Sequence, residues 1–355
     1  MSPPLLAGTL LALLAVSERT PDQDRRFSER VDVERVVVDA RVVDPAGSPI
    51  RGLGPSDFRV RVDGAEVPLE SVQWISATAA SRREAAAEPS APPSVPQGRL
   101  LVFLFQKSFE HTRLWGLLRM QAQAAEFLRT LTPEDRVAVL VHDTHLRLCQ
   151  DFTGDHDALR EAIEHGVLAL DRWDSGAGST PSLAAQLSRE AGRRAASLEH
   201  GMLVLGRALN GIPGPKTVVL FGWGLGRFSA SEKGDPREVN RSSARSLESV
   251  SYDRRFAAAV AALAEARASV IALDVTSGEG HSLESGLMDL AAWTGGYYSS
   301  TDVFPERAMK VLGRVLAGHY VLSFEKPSLP AGAHRIEVEL VGRKGSIMAR
   351  PFYVG

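Results

Sequence analysis

The stretch LLVFLF at residues 100–105 is an apolar run with no polar interruption. A strand with one wet face alternates apolar and polar residues, whereas a strand covered on both faces has no reason to, and such runs are characteristic of parallel sheets. Three more follow: RVAVLV at 136–141, TVVLF at 217–221 and SVIALD at 269–274. The segments between them carry helical periodicity. Leu114, Leu117, Leu118, Ala125 and Leu128 fall on one stripe, as do Phe256, Val260, Leu263 and Ala264. Residues 155–165 read as a short helix opened by a capping residue, and 182–209 as one long helix. Residues 283–293 read as a helix broken by Gly295-Gly296, after which Tyr297-Tyr298 start a short strand, and Ala308, Leu312, Val315 and Leu316 mark a last helix. Strands alternating with helices predict an α/β domain over 99–317, a doubly wound, mostly parallel sheet covered on both faces.

Outward from this domain the pattern changes to β on both sides. Val36, Val38, Ala40 and Val42 alternate with Val37, Asp39, Arg41 and Val43, and Phe58, Val60 and Val62 with Arg59, Arg61 and Asp63. Asp63-Gly64 is a two-residue hairpin signal. Beyond the domain Tyr320, Leu322 and Phe324 alternate, then Ile336, Val338 and Leu340, then Ile347 and Ala349. Segments 31–76 and 318–355 are therefore expected to form one small antiparallel β-sandwich, with one wet face, into which the α/β domain is inserted. Residues 77–98 (ATAASRREAAAEPSAPPSVPQG) read as a Pro/Ala/Ser linker, and 226–251, rich in Ser and Arg, as a surface insertion.

At the N-terminus, 5–16 (LLAGTLLALLAV) is too short for a membrane span and fits the apolar core of a secretory signal, with Ala15-Val16-Ser17 for cleavage. Residues 1–17 are thus expected to direct export to the periplasm or the exterior, with an uncleaved anchor as the alternative and no other membrane insertion. The 355 residues hold 41 Lys and Arg against 43 Asp and Glu, a net charge of −2, which gives nucleic acid no basic face to bind. One cysteine, Cys149, excludes an internal disulfide and a cysteine zinc cluster, and reads as a small buried hydrophobe.

In order and spacing the chain resembles the acidobacterial-type von Willebrand factor A (VWFA)-related proteins. The resemblance lies in Gly52-Leu53 followed by Asp57-Phe58, in Asp63-Gly64, in Pro133-Glu134-Asp135-Arg136-Val137-Ala138, in Asp151-Phe152-Thr153, in residues 213–221 (PGPKTVVLF), in Thr294-Gly295-Gly296, and in the closing strands at Tyr320 and Ile336. It implies a divalent-cation site at the carboxyl ends of the strands, built from Asp-x-Ser-x-Ser after the first strand, a loop Thr and a later Asp. Such oxygen ligands suit Mg²⁺. Here Gln106 stands at the first Asp position, Ser108 is kept, Glu110 replaces the last Ser, Thr180 offers the loop Thr, and Trp223 stands where the later Asp belongs. Lys107 adds a cation that would repel a divalent ion by about 4 kcal/mol per charge pair at contact, at an effective dielectric near 20. The resemblance therefore implies a degenerate metal site at Gln106, Ser108, Glu110 and Thr180, with only weak Mg²⁺ binding left to Ser108 and Glu110 and no other cofactor.

The functional expectation is a non-enzymatic adhesion or assembly module that meets a protein partner in the cell envelope, with Lys107 and Trp223 as rim contacts. Three enzyme patterns compete with it. Gly222-x-Gly224-x-Gly226 does not have nucleotide-loop spacing, and no Gly-x-Ser-x-Gly elbow occurs. His142 and His145, a pair at a strand end, have no evident third ligand, and His142, Asp143 and Asp274 near strand ends could make an acid–base group, although solvated loop residues and a turn cap explain them as well. Docking through sandwich edge strands is the remaining alternative.

Overall fold

A computed structural model describes residues 34–77, 98–169, 180–225, 254–277, 281 and 283–355. The leader at 1–17, the first residues of the 31–76 segment, nearly all of the 77–98 linker and the 226–251 insertion lie outside the described residues.

In chain order the elements are β1 (Arg35–Val43), β2 (Phe58–Val62), β3 (Ala65–Val67), β4 (Ser71–Ser76), β5 (Leu100–Gln106), α1 (His111–Phe127), β6 (Arg136–His142), β7 (Leu146–Thr153), α2 (His156–Glu161), α3 (Arg189–Arg194), α4 (Leu198–Asn210), β8 (Lys216–Gly222), α5 (Arg254–Glu265), β9 (Ala268–Asp274), α6 (Glu284–Trp293), β10 (Tyr297–Ser300), α7 (Pro305–Val315), β11 (Gly318–Glu325), β12 (Ala333–Leu340), β13 (Ser346–Ala349) and β14 (Phe352–Val354).

The central sheet runs β10-β9-β8-β5-β6-β7, parallel except for the antiparallel edge strand β7. The apolar run of β5 serves two cores at once. Leu100, Val102 and Leu104 pack with α4, α5 and α6, while Leu101, Phe103 and Phe105 pack with α1, α2 and α7. That two-sided burial is the reason the run contains no polar residue. Phe105 and Phe221 of the neighbouring β8 stack at 4.5 Å between ring centroids, locking the middle of the sheet. Cys149 is buried in the second of these cores.

Both ends of the chain build the sandwich. One sheet runs β13-β1-β11-β4 and the other β14-β12-β2-β3. Val36, Val38, Ala40 and Val42 face Phe58, Val60 and Val62 across a core completed by Tyr320, Leu322 and Phe324. Asp63 and Gly64 both take positive φ, 49° and 85°, as a tight two-residue hairpin turn requires.

Two expectations are corrected. The second face of β1 is not wet: Arg41 is buried and donates to Thr217 Oγ1 at 2.8 Å and Ser269 Oγ at 2.9 Å, so this face covers the amino ends of β8 and β9. Alternation reports two different faces, not what covers each. The helix expected over 182–209 is broken into α3 and α4. The Asp151 carboxylate accepts from the backbone N–H groups of Leu183 and Ala184 and from Ser182 Oγ, pinning that segment outside a helix. Ser188 and Ser197 then cap the two real helices by accepting from Ala191 N and His200 N.

The entry to the sheet is held by Asp135, fully buried as a side chain, which accepts from Arg99 N at 2.9 Å, Arg99 Nε at 3.0 Å and Thr132 N at 2.8 Å. Burial alone would raise this carboxyl, but the Arg99 hydrogen bonds and charge hold it below the ordinary carboxylate value. Asp135→Ala should lower the unfolding free energy by about 3–5 kcal/mol in urea titration, the scale for orphaning one member of a buried pair. Because folding depresses this carboxyl, its stabilisation is intact above the unfolded carboxylate value and is lost as pH falls through the folded one. The gap between variant and parent should therefore narrow in acid.

Candidate functional site

A parallel sheet collects the carboxyl ends of its strands on one rim, where its turns are free to carry polar groups. Gln106, at the end of β5, is buried there. Its Oε1 accepts from Trp223 N at 2.9 Å and Gly224 N at 3.2 Å, and its Nε2 donates to Gly224 O at 2.8 Å. The carboxamide thereby closes the β5 end onto the turn that leaves β8. Only a group with both a donor and an acceptor can do this, and a carboxylate at the same place would face the Gly224 carbonyl with no proton to give. Gly222 is packed close enough that an added Cβ would lie 3.0 Å from Gln106 Oε1.

The other residues expected at a degenerate metal site do not converge. Ser108 Oγ accepts from Glu110 N at 3.2 Å. Glu110 turns toward α1, pairing with Arg113 at 2.9 Å and accepting from Thr112 Oγ1 at 3.2 Å. Thr180 is exposed, and among the described residues no hydrogen bond joins it to Gln106, Ser108 or Glu110. Among the described residues, too, no group of three or more His, Cys, Asp or Glu is arranged to hold a metal ion.

The two residues expected to meet a partner are largely covered. Lys107 is buried, with Nζ donating to Leu168 O at 3.2 Å and lying 5.1 Å from the Phe109 ring centroid. Trp223 is half-buried: the Arg113 guanidinium lies 4.0 Å from its ring centroid, and its indole N–H points to Lys107 O at 3.4 Å. What reaches solvent instead are Phe109 (77% exposed), Trp115 (57%), Val303 (65%) and Phe304 (61%). All four lie at the carboxyl rim, Phe109 just after β5, Trp115 at the start of α1, and Val303 and Phe304 after β10. Arg119 of α1 ties the last pair in by donating to Asp302 O at 2.9 Å. Exposed apolar residues gathered at one rim are a stronger contact signal than any one of them. Sequence reasoning missed this grouping because Phe109 and Phe304 are far apart in the chain and neither belongs to a motif.

The strand-end candidates for an acid–base group are divided by the sheet. His142 and Asp143 sit at the end of β6 and Asp274 at the end of β9, three strand positions or roughly 14 Å away at the usual strand spacing. His142 Nε2 lies 3.0 Å from Ala195 O, and burial pushes the imidazole below its ordinary value. Asp143 is tied to Arg147 at 3.2 Å and to Thr144 N. Asp274 accepts from Thr276 N, and its other oxygen meets His281 Nε2 at 2.7 Å and Tyr298 OH at 3.1 Å. The Tyr298 hydroxyl also reaches Glu284 at 2.7 Å, and burial followed by that contact raises it far above the phenol range.

No family model matches the chain, and no curated protein does. Solved structures resemble it in the course of the chain. A BatB protein from Bacteroides thetaiotaomicron is 12% identical with a TM-score of 0.36, the match covering 62% of this chain and 97% of that one. An aerotolerance-related membrane protein from Bacteroides fragilis is 11% identical with a TM-score of 0.35, covering 62% and 98%. A von Willebrand factor type A protein from Catenulispora acidiphila is 10% identical with a TM-score of 0.40, covering 91% and 75%.

Gln106→Glu tests the carboxamide closure. The variant keeps an acceptor for the two N–H groups and loses the donor to Gly224 O, so it should be destabilised by about 1–3 kcal/mol at neutral pH. It should recover part of that loss in acid relative to the parent chain, as the protonated carboxyl regains a donor. Equal stability of the two chains at neutral pH would show that the closure contributes nothing.

Proposed function

We propose that this chain is a non-enzymatic, exported protein-binding module of VWFA type, in which Gln106 has taken over the metal position and the partner meets the aromatic rim of the sheet. The observation that carries the reading is the pairing of two features at one end of the sheet: a carboxamide whose donor and acceptor are both spent on the 223–224 turn, and exposed aromatic side chains at the same rim. In VWFA-type sites the metal bridges to a partner carboxylate. Without that bridge, contact energy has to come from apolar burial, and large aromatic side chains supply the most area for the least lost conformational freedom. Lys107 lies against Phe109 of this patch, and Trp223 is covered by Arg113. The separation of His142 from Asp274 supports a binding role over an enzymatic one. The partner is a protein of the cell envelope if the 1–17 leader directs export.

A photo-crosslinking residue at Phe109, Trp115 or Phe304, introduced singly into the full chain in its own cells, should give one common adduct from all three positions. The same residue at Glu66 on the sandwich edge strand β3 should not give it, and chelation of divalent metal should not diminish it. Adducts from Glu66 alone would place the contact on the sandwich, and adducts lost on chelation would restore metal-dependent adhesion.

A further inference from the structure

At the end of the sheet opposite the rim, a pocket lies between the sandwich and the amino ends of β8 and β9. Four cations line it: Arg41 from β1, Lys216 from β8, Arg267 from the turn before β9, and Arg350 from the segment after β13. The lining holds one carboxylate, Asp39. Arg267 takes it in two hydrogen bonds, Nε to Oδ2 at 3.0 Å and Nη2 to Oδ1 at 2.6 Å. The other three cations are held by neutral groups. Arg41 has the hydroxyls of Thr217 and Ser269. Lys216 Nζ donates to Leu209 O and Ile212 O, at the end of α4. Arg350 donates to Ala264 O and Val37 O, and its Nε is buried without a hydrogen-bond partner.

Arg41 and Lys216 keep only 9% and 4% of their exposure. Charges taken out of water to this degree are normally balanced by opposite charge, because neutral oxygens recover only part of the lost hydration. The imbalance is visible in the groups themselves. Burial, reinforced by the charge of Arg267, pulls the Lys216 ammonium down to about 8. Burial also lowers the Arg350 guanidinium, and Arg267 adds to it. Asp39 would be raised by its burial, yet the cations around it, Arg267 first, hold it below its ordinary value. In the lining of the pocket the Arg267 and Asp39 side chains are 34% and 20% exposed.

We propose that this pocket binds a small oxyanion of the phosphate or sulfate class, held between Arg41, Lys216, Arg267 and Arg350. Guanidinium groups present paired donors that match such oxygens. Cations carried on four separate segments suit a tetrahedral anion better than a planar carboxylate, which offers oxygens on one side only. Two of the cations come from the sandwich and two from the α/β layer, so the bound anion also fastens the two layers together.

The test is thermal unfolding of the full chain in inorganic phosphate or sulfate, against chloride at matched ionic strength, with calorimetric titration of the same ions in parallel. The expected result is a saturable rise in melting temperature with a Kd on the order of a millimolar or tighter. Arg350→Gln should weaken it about tenfold or more, a loss of charge-assisted contact. Arg129→Gln, which removes an exposed charge paired with Glu126, should leave it unchanged. Glycerol phosphate distinguishes the sources: binding equal to inorganic phosphate assigns the pocket to a phosphate group on a larger molecule, and exclusion assigns it to the free ion. A response no larger than that of chloride, or calorimetric binding unchanged in both Arg350→Gln and Lys216→Gln, would overturn the proposal.

Discussion

Strands buried on both faces have no place along their length for a polar side chain. β5, β8 and β9 are of this kind, and their polar groups are therefore expelled to the two ends of the sheet. Because the strands are parallel, the two ends are chemically unlike. The carboxyl ends gather Gln106, His142 and Asp274, each followed by a loop. The amino ends gather Lys216, Thr217 and Ser269, which come to lie under the sandwich. Both places where the molecule could meet something else follow from this one constraint.

The two ends are closed by different chemistry. At the rim the neutral carboxamide of Gln106 satisfies two N–H groups and a carbonyl at once. The carboxamide thus meets the hydrogen-bonding needs of the turn after β8. At the opposite end the closure is ionic and unbalanced, with four cations around Asp39. The neutral closure by Gln106 at one end and the excess of cations at the other are the physical grounds for proposing a protein surface at the first and an anion at the second.

Much of the fold was legible in the sequence because period and two-sided burial leave direct marks. The run at 100–105 divides residue by residue between two cores, and Asp63-Gly64 adopts the positive-φ turn that its residue types favour. What was not legible depends on contacts distant in the chain. Alternation in β1 separated Asp39 and Arg41 from the sandwich core but could not say that the α/β layer covers them. The break between α3 and α4 depends on Asp151, more than 30 residues earlier, gripping the 182–184 backbone. At the candidate site the sequence located the departure at Gln106 and Trp223. Whether a glutamine there is merely a lost ligand or a structural replacement depends on its reach to Gly224, which spacing does not encode. The aromatic rim and the cation pocket are likewise assembled from segments that no local motif joins.

The most direct test of the central claim, that the rim is closed by Gln106 and not by a divalent ion, is calorimetric titration of the purified chain with Mg²⁺ and Mn²⁺, with thermal unfolding followed in parallel. The account predicts no saturable heat and no shift in melting temperature from binding at the rim. A site of about a millimolar or tighter that disappears in Ser108→Ala or Glu110→Ala would contradict it, and would mean that these side chains still gather around a metal when one is present.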